Sequence, residues 1–469
     1  MSSSAFSRGP SSQTSWGRGD IVPAGRKETP NFRAPSPARG EVLMELKPED
    51  IKDVKQNAKI KDYEYVASYN WLDGKEPKIA VPGTPPLWNP PAIPRELERD
   101  SGDFFRDLNA ARYPSCPLVP AAQAVRELAT QFPTQDVDVF TCEDTLCKLA
   151  RFICGEEQTF RVILTKVGNT LFMIRTENSP DELISEVKGY GHTFPKAYTL
   201  WEHDVKTSVS HQRIIQYGFG GLRFLVRFEV DGCYGGGRDS DPLMTGADRL
   251  LSQLKHNFLH GHTAPFGEDG LQISRTGRGA VAQGSIFEIK TRNALDFNTW
   301  TTKKVIDTSM LIPKLYFCQV PALMAGFHSR GTFKDIDKMD MRPATEQWEV
   351  NNAENLGRLA SLIHRLVDIS KASQTSLELS RSNLRPLEIR RVTGEVCDKT
   401  PASLRSWWFG EDSPPMQESN NSDDVPAVGH ADYGDGHESD EYDYCSYSDH
   451  AADDRGNESD ESWKDFTAC

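Results

Sequence analysis

Two short stretches of this 469-residue sequence place ionisable side chains at a spacing suited to phosphate chemistry. The first, "RFLVRFEVD", ends in Glu229-Val-Asp231. Phe224, Val226, Phe228 and Val230 share one parity, the period-two pattern of a half-buried strand. Arg223, Arg227, Glu229 and Asp231 share the other, interrupted by Leu225. Two carboxylates two residues apart at a strand end fit either a solvated face or half of a metal site. The second stretch, "GSIFEIKTRN", puts Ile286, Glu288 and Lys290 on one strand face. A carboxylate oxygen is a hard ligand for Mg²⁺, and a lysine can position an attacking water or offset transition-state charge. Side by side, the two strands would gather three carboxylates and a lysine, a crowding of like charge that calls for a cation between them.

The rest of the chain has to position those strands. Its charge is uneven: residues 411–469 carry 18 acidic and two basic residues, a net of −16 within a total of −14, so residues 1–410 sum to +2. A near-neutral body with an acidic tail is expected, the tail holding too few apolar residues to fold. No run of 18 apolar residues is present and the N-terminus lacks the apolar segment of a secretory signal. The nine cysteines form no C-x-x-C pair, which fits a reduced compartment, nuclear or cytosolic.

Residues 1–40, rich in Ser, Gly, Pro and Arg, read as a disordered tail, and 41–115 as an extended Pro/aromatic segment lying on the body. The body is expected over 116–375, followed by a linker at 376–410 and the acidic tail at 411–469. Within the body, helices are expected at Ala121–Thr130, Thr145–Ile153, Asp181–Val187 and Asp248–Leu259. The clearest lies in "NAENLGRLASLIHRLVDISKA", where Leu356, Leu359, Ile363, Leu366 and Val367 trace one stripe. Strands are expected at Val137–Phe140, Arg223–Asp231, Ser285–Thr291, Leu315–Val320 and Leu323–Phe327. "RVILTKVGNTLFMIR" reads as a hairpin turning at Gly168-Asn169. Trp407-Trp408-Phe409 either docks on a partner or packs back on the body.

An acid near the end of one strand and Glu-x-Lys with an apolar x on the next resembles the PD-(D/E)XK nuclease superfamily. Glu229-Val-Asp231, Glu288-Ile-Lys290 and Gln319, 29 positions after Lys290, look like the motifs of the DXO-type decapping exoribonucleases, enzymes of RNA 5′-end quality control. The resemblance implies an α+β fold, a mixed β-sheet core flanked by helices. It also implies a metal-dependent hydrolase of RNA 5′ ends, acting in decapping, pyrophosphate release or 5′→3′ degradation, and a 5′→3′ exoribonuclease as partner. Glu229, Asp231 and Glu288 would hold one or two Mg²⁺ or Mn²⁺ ions, Lys290 would orient the water, and Gln319 would contact the phosphate or that water. "RVILTK" resembles a further family segment and would aim Arg161 at the RNA backbone. Arg227, Arg275, Arg278 and Arg292 would add charge along it.

One acid of the family pattern has no counterpart: in "GYGHTFPKAYT", Thr193 or Pro195 stands at its place, with Glu202 nearby as a substitute ligand. That departure favours a second reading, a catalytically lapsed relative that binds RNA or a protein. An isoprenoid diphosphate synthase is set aside. That chemistry needs paired aspartate motifs on facing helices, and here Asp423-Asp424 and Asp453-Asp454 fall in the acidic tail of a strand-rich chain.

Overall fold

The computed structural model describes residues 40–52, 54–185, 187–235, 270–277, 279–294, 305–392 and 400–409. The expectations for residues 1–39, for a helix at 248–259, for Arg278 and for the acidic segment 411–469 lie outside them.

The entry strands are β1 (Val42–Leu46), β2 (Lys61–Leu72), β3 (Lys78–Val81), β4 (Leu87–Trp88) and β5 (Phe104–Phe105). Next come α1 (Leu108–Arg112), α2 (Val119–Leu128), β6 (Val139–Cys142) and α3 (Glu143–Ile153). The hairpin β7 (Phe160–Val167) and β8 (Thr170–Thr176) precedes β9 (Leu183–Ile184), α4 (Thr193–Tyr198) and β10 (Thr199–Leu200). Strands β11 (Ser208–Phe219), β12 (Leu222–Glu229), β13 (Gly232–Cys233), β14 (Gln272–Arg275) and β15 (Ile286–Asn293) follow. The chain continues through α5 (Ile312–Cys318), β16 (Ala322–Ser329), β17 (Thr332–Asp340), α6 (Arg342–Asn351) and α7 (Ala353–Ala372). It closes with β18 (Leu377–Arg381), β19 (Leu387–Arg391) and α8 (Ala402–Phe409).

This is the α+β architecture expected. An 11-stranded mixed sheet runs in the order β1-β19-β18-β7-β8-β6-β12-β11-β2-β3-β14, and a six-stranded sheet in the order β10-β4-β13-β15-β16-β17. The large sheet is buried on both faces. Phe224, Val226 and Phe228 of β12 join Leu359, Ile363 and Leu366 of α7 in one core, while Leu225 joins Tyr69, Trp71, Phe140 and Trp408 in another. The parity that reads as a solvated face therefore packs inward, and Arg227 on it is 5% exposed.

The expected hairpin forms, its turn at Gly168, whose φ of +63° a residue with a Cβ adopts at a cost. The stripe on α7 is buried as the spacing predicts.

Elsewhere the fold corrects the sequence reading. Residues 61–72 are a central strand instead of a surface segment: no proline falls between Pro48 and Pro77, so β2 keeps its N–H groups for pairing with β11. Residues 181–187 carry the short strand β9, paired with β5, in place of a helix. Residues 315–318 lie in a helix, α5, because Pro313 presets its first turn and Leu315, Tyr316, Phe317 and Cys318 are all buried.

The region read as a linker carries β18 and β19, inserted between β1 and β7, and then α8. Of the two alternatives for the aromatic cluster, Trp408 packs on the body. It stacks on Phe140 at 5.6 Å, and its Nε1 donates to Thr170 Oγ1 at 2.8 Å. Replacing Trp408 by Ala should cost about 3–5 kcal/mol in urea unfolding, the range for a buried aromatic. A loss below about 1 kcal/mol would detach α8 from the core.

Candidate functional site

The chain changes sheets between Glu229 and Asp231. Strand β12 ends at Glu229 in the large sheet, and β13 begins at Gly232 in the small one, where Gly232 pairs with Phe287 and Cys233 with Ile286. Continuing that antiparallel register sets Asp231 level with Glu288 on β15. The Ile289 N–H donates to Asp231 Oδ2 at 2.7 Å. Glu288 is 1% exposed. Lys290 Nζ lies 3.6 Å from Glu288 Oε1. Asp231, Glu288 and Lys290, singled out by spacing, are thus brought together.

A residue absent from the sequence expectations completes the cluster. Lys314, in the first turn of α5, donates from Nζ to both oxygens of Glu288, at 2.8 and 2.9 Å. The strand expected at Leu315–Val320 starts one residue after it and leaves it in the preceding loop; the signal was Pro313 followed by a lysine ahead of an apolar run. Glu143, the first residue of α3, is also missed, since the expected helix starts two residues later. Acids just ahead of a helical apolar pattern mark such a start.

The electrostatics show why the cluster is chemically unusual. Burial, and then the neighbouring Glu288 charge, push the Asp231 carboxyl up to about 7, against the pull of Lys314 and Lys290. Burial likewise pushes Glu143 up to about 7, against Lys314 and Arg227. Burial lowers Lys290 to about 8, with Lys314 adding to it and Glu288 opposing. Lys314 moves the other way: burial disfavours its charge, but Glu288, Asp231 and Glu143 hold the ammonium well above the usual lysine range. Acids raised and a lysine lowered toward neutrality in one place follow from burying several ionisable groups against one another. The place itself fits: β6 and β12 are parallel, with Arg227 paired to Cys142, so Glu143 and Glu229 emerge together at the carboxyl ends of parallel strands, where α/β sheets place their ligand crevices.

The other expected residues scatter. Glu229 accepts from Gln212 Nε2 at 3.3 Å, and its charge acts on Tyr69. Among the described residues no three His, Cys, Asp or Glu side chains converge as a metal-holding group. Glu229 ends β12 in the large sheet, whereas Asp231 leads into β13 in the small one. Arg161 forms a buried two-point ion pair with Glu378, at 2.8 and 3.2 Å, on a strand separated from β12 by β8 and β6; it serves the sheet and not the cluster.

Arg227 lies buried beside the cluster, donating to the Pro117 carbonyl at 3.3 Å. Burial works against its charge, but Tyr69, Cys142, Asp107 and Glu143 together raise its proton affinity. Arg275 pairs with Glu127 at 2.6 Å on the far edge strand β14. Arg292 follows Lys290 by two residues on β15 and so shares its face. Glu202 acts on the Cys233 thiol, two residues past Asp231, where burial comes first in raising the thiol. Gln319 caps α5 with a φ of +52°, its Nε2 turned back to the Tyr316 carbonyl at 2.6 Å.

The donor set does not fit the one or two Mg²⁺ or Mn²⁺ ions expected. Asp231 and Glu288 supply hard oxygens, but both oxygens of Glu288 are engaged by Lys314.

A family described as "Domain of unknown function (DUF8563)" has a model that matches residues 46–377. The chain belongs to that family. No curated protein sequence matches this DUF8563 member significantly. Among solved structures it is similar to Rai1 of Scheffersomyces stipitis in complex with (3′-NADP)+ and calcium ion. The TM-score is 0.50 at 13% identity, over 78% of this chain and 100% of that one. It is also similar to Candida albicans Rai1 in complex with pU5-Mn²⁺, with a TM-score of 0.47 at 11% identity, over 78% and 99% of the two chains. The K. lactis Dxo1 complex with manganese gives a TM-score of 0.38 at 9% identity, over 75% and 95%. The first likeness shows the fold: the DUF8563 body has the Rai1 architecture that the DXO-type resemblance implies. Among the described residues no helix is long and apolar enough to cross a membrane.

The raised Asp231 carboxyl sets a pH dependence. Its folded-state pKa lies above the unfolded carboxylate value of about 3.9, so ionisation costs stability progressively from there to about pH 7 and fully above it. Asp231→Asn removes that cost and keeps an acceptor for the Ile289 N–H. Between pH 5 and pH 8 the melting temperature of the variant should therefore gain on wild type by a few degrees. Parallel curves would remove Asp231 from the groups that titrate there.

Proposed function

We propose that this chain hydrolyses phosphorus–oxygen bonds at RNA 5′ ends, using the Asp231, Glu288 and Lys290 cluster. The observation that carries the reading is geometric: Asp231 is held level with the buried Glu288 by the Ile289 N–H at 2.7 Å, and Lys290 Nζ lies 3.6 Å from the same Glu288 carboxylate. Support comes from the fold, since Rai1 of S. stipitis has been crystallised with a phosphate-rich dinucleotide and calcium ion.

In the proposed reaction a water oxygen attacks phosphorus and the bond to the leaving oxygen breaks. Asp231, ionised in part near neutrality, takes the proton of the attacking water. The Lys290 ammonium donates to the phosphoryl oxygens, where charge accumulates, and is worth most in a water-poor setting. Glu288 fixes both lysines and does not itself move a proton. Arg292, on the same face of β15, extends the cationic track toward the RNA backbone. The product 5′-monophosphate is the end that a 5′→3′ exoribonuclease takes, which makes such an enzyme the natural partner, in a nuclear or cytosolic setting.

The second reading, a module that binds RNA 5′ phosphates without cleaving them, is favoured by one observation: the Gln319 amide is turned onto its own helix, away from any phosphate role. One experiment separates the two. Purified protein is incubated with 5′-triphosphate, 5′-monophosphate and unmethylated-cap RNAs, with Mn²⁺ and with a chelator, and the released products are resolved. Wild type should release product, and Asp231→Asn and Lys290→Met should each lose about 100-fold or more, the scale of removing a general base or a charge stabiliser. Binding without product in every arm selects the binding module; turnover that survives in both variants excludes this cluster.

A further inference from the structure

We propose that Lys314 is the resident cation of this cluster, and that its ammonium and a divalent ion exclude one another at Glu288. The inference takes the site of the proposed function as its starting point and concerns what neutralises it. Asp231 and Glu288 stand level on neighbouring strands, a like-charged cross-strand pair that is unfavourable without a countercharge. In nuclease-like sites that countercharge is a metal. Here a side chain supplies it.

Three features make the Lys314 ammonium a built part of the site and not a surface lysine in passing. It contacts both carboxylate oxygens, at 2.8 and 2.9 Å, with charge-assisted geometry. Its side chain is 15% exposed and the partner's 1%. Its backbone is fixed, because α5 carries Pro313 in its first turn and buries the four residues that follow Lys314.

An Mg²⁺- or Mn²⁺-sized ion needs carboxylate oxygens at about 2.0–2.2 Å and several further oxygen ligands. It would have to take the oxygens that Lys314 holds, and would leave a second positive charge a few ångströms away in a desolvated place. Lys290, 3.6 Å from the same carboxylate, blocks retreat in that direction by its own charge. The two cations therefore compete for one position, and in the wild-type chain the tethered one has the advantage of paying no association entropy.

The test reads ion occupancy and not turnover. Full-length wild type, Lys314→Met, and Lys314→Met combined with Asp231→Asn are titrated with Mn²⁺ alone. The six-line spectrum of free Mn²⁺ is followed by electron paramagnetic resonance, and folding is checked by circular dichroism. Wild type should leave equimolar Mn²⁺ free. Lys314→Met should bind one ion at least about tenfold more tightly, and the second substitution should abolish the gain.

Asp231→Asn alone is titrated as well: Mn²⁺ bound by wild type and lost in that variant overturns the proposal, and this arm decides the matter even if Lys314→Met fails to fold. A folded Lys314→Met that gains no ion also overturns it. Because RNA is absent, failure of hydrolysis leaves this measurement intact, and failure here leaves hydrolysis at the cluster to its own assay.

Discussion

A buried carboxylate has to be neutralised, and the centre of this molecule is arranged around that requirement at Glu288. Taking such a charge out of water costs several kcal/mol even after relaxation, and only close, well-directed partners offset it. Three separate stretches of chain answer the demand. Strand β15 brings Lys290 with Glu288 itself, α5 brings Lys314, and the passage from β12 to β13 brings Asp231 to the same level. Each is useful only where the others hold it, so the small sheet, the crossover helix and the sheet change are coupled through one ion cluster.

That coupling explains the divergence of proton affinities. Lys314 and Lys290 are the same chemical group within reach of the same carboxylate, yet one is driven up and the other down. Both are desolvated and both feel Glu288 and Asp231, but Lys314 also faces Glu143 and contacts both Glu288 oxygens, whereas on Lys290 burial outweighs the carboxylates and the Lys314 charge adds to it. A site can assign distinct tasks to identical side chains in this way, one as a charge committed to its carboxylate and one whose charge remains available to a ligand.

Much of this was legible in the sequence. The alternation in "RFLVRFEVD" and "GSIFEIKTRN" identified the two strands, and the carboxylate and lysine spacing identified three of the four residues that meet. What stayed hidden has physical reasons. Periodicity reports which faces are apolar, but not that both faces of a sheet are covered, so Arg227 was expected along the RNA backbone and is buried instead. Spacing along a strand says nothing about where the strand leaves its sheet, and Glu229 and Asp231 part at that point. Lys314 could be found only in three dimensions, since its partner lies 26 positions away. Arg161 was carried by motif likeness alone; a buried arginine on a central strand needs a carboxylate, and Glu378, in a region that looked like linker, supplies it.

The place of β18 and β19 has a practical consequence. They sit between β1 and β7, although they follow every other strand in sequence. A fragment trimmed to the family's extent, 46–377, would end where β18 begins. It would remove β1 except for Leu46, bare the hydrogen-bonding edge of β7, and leave Arg161 without its counterion. Open edges of that kind recruit other chains. A fragment that is to keep this edge closed must therefore run past Arg391, where β19 ends.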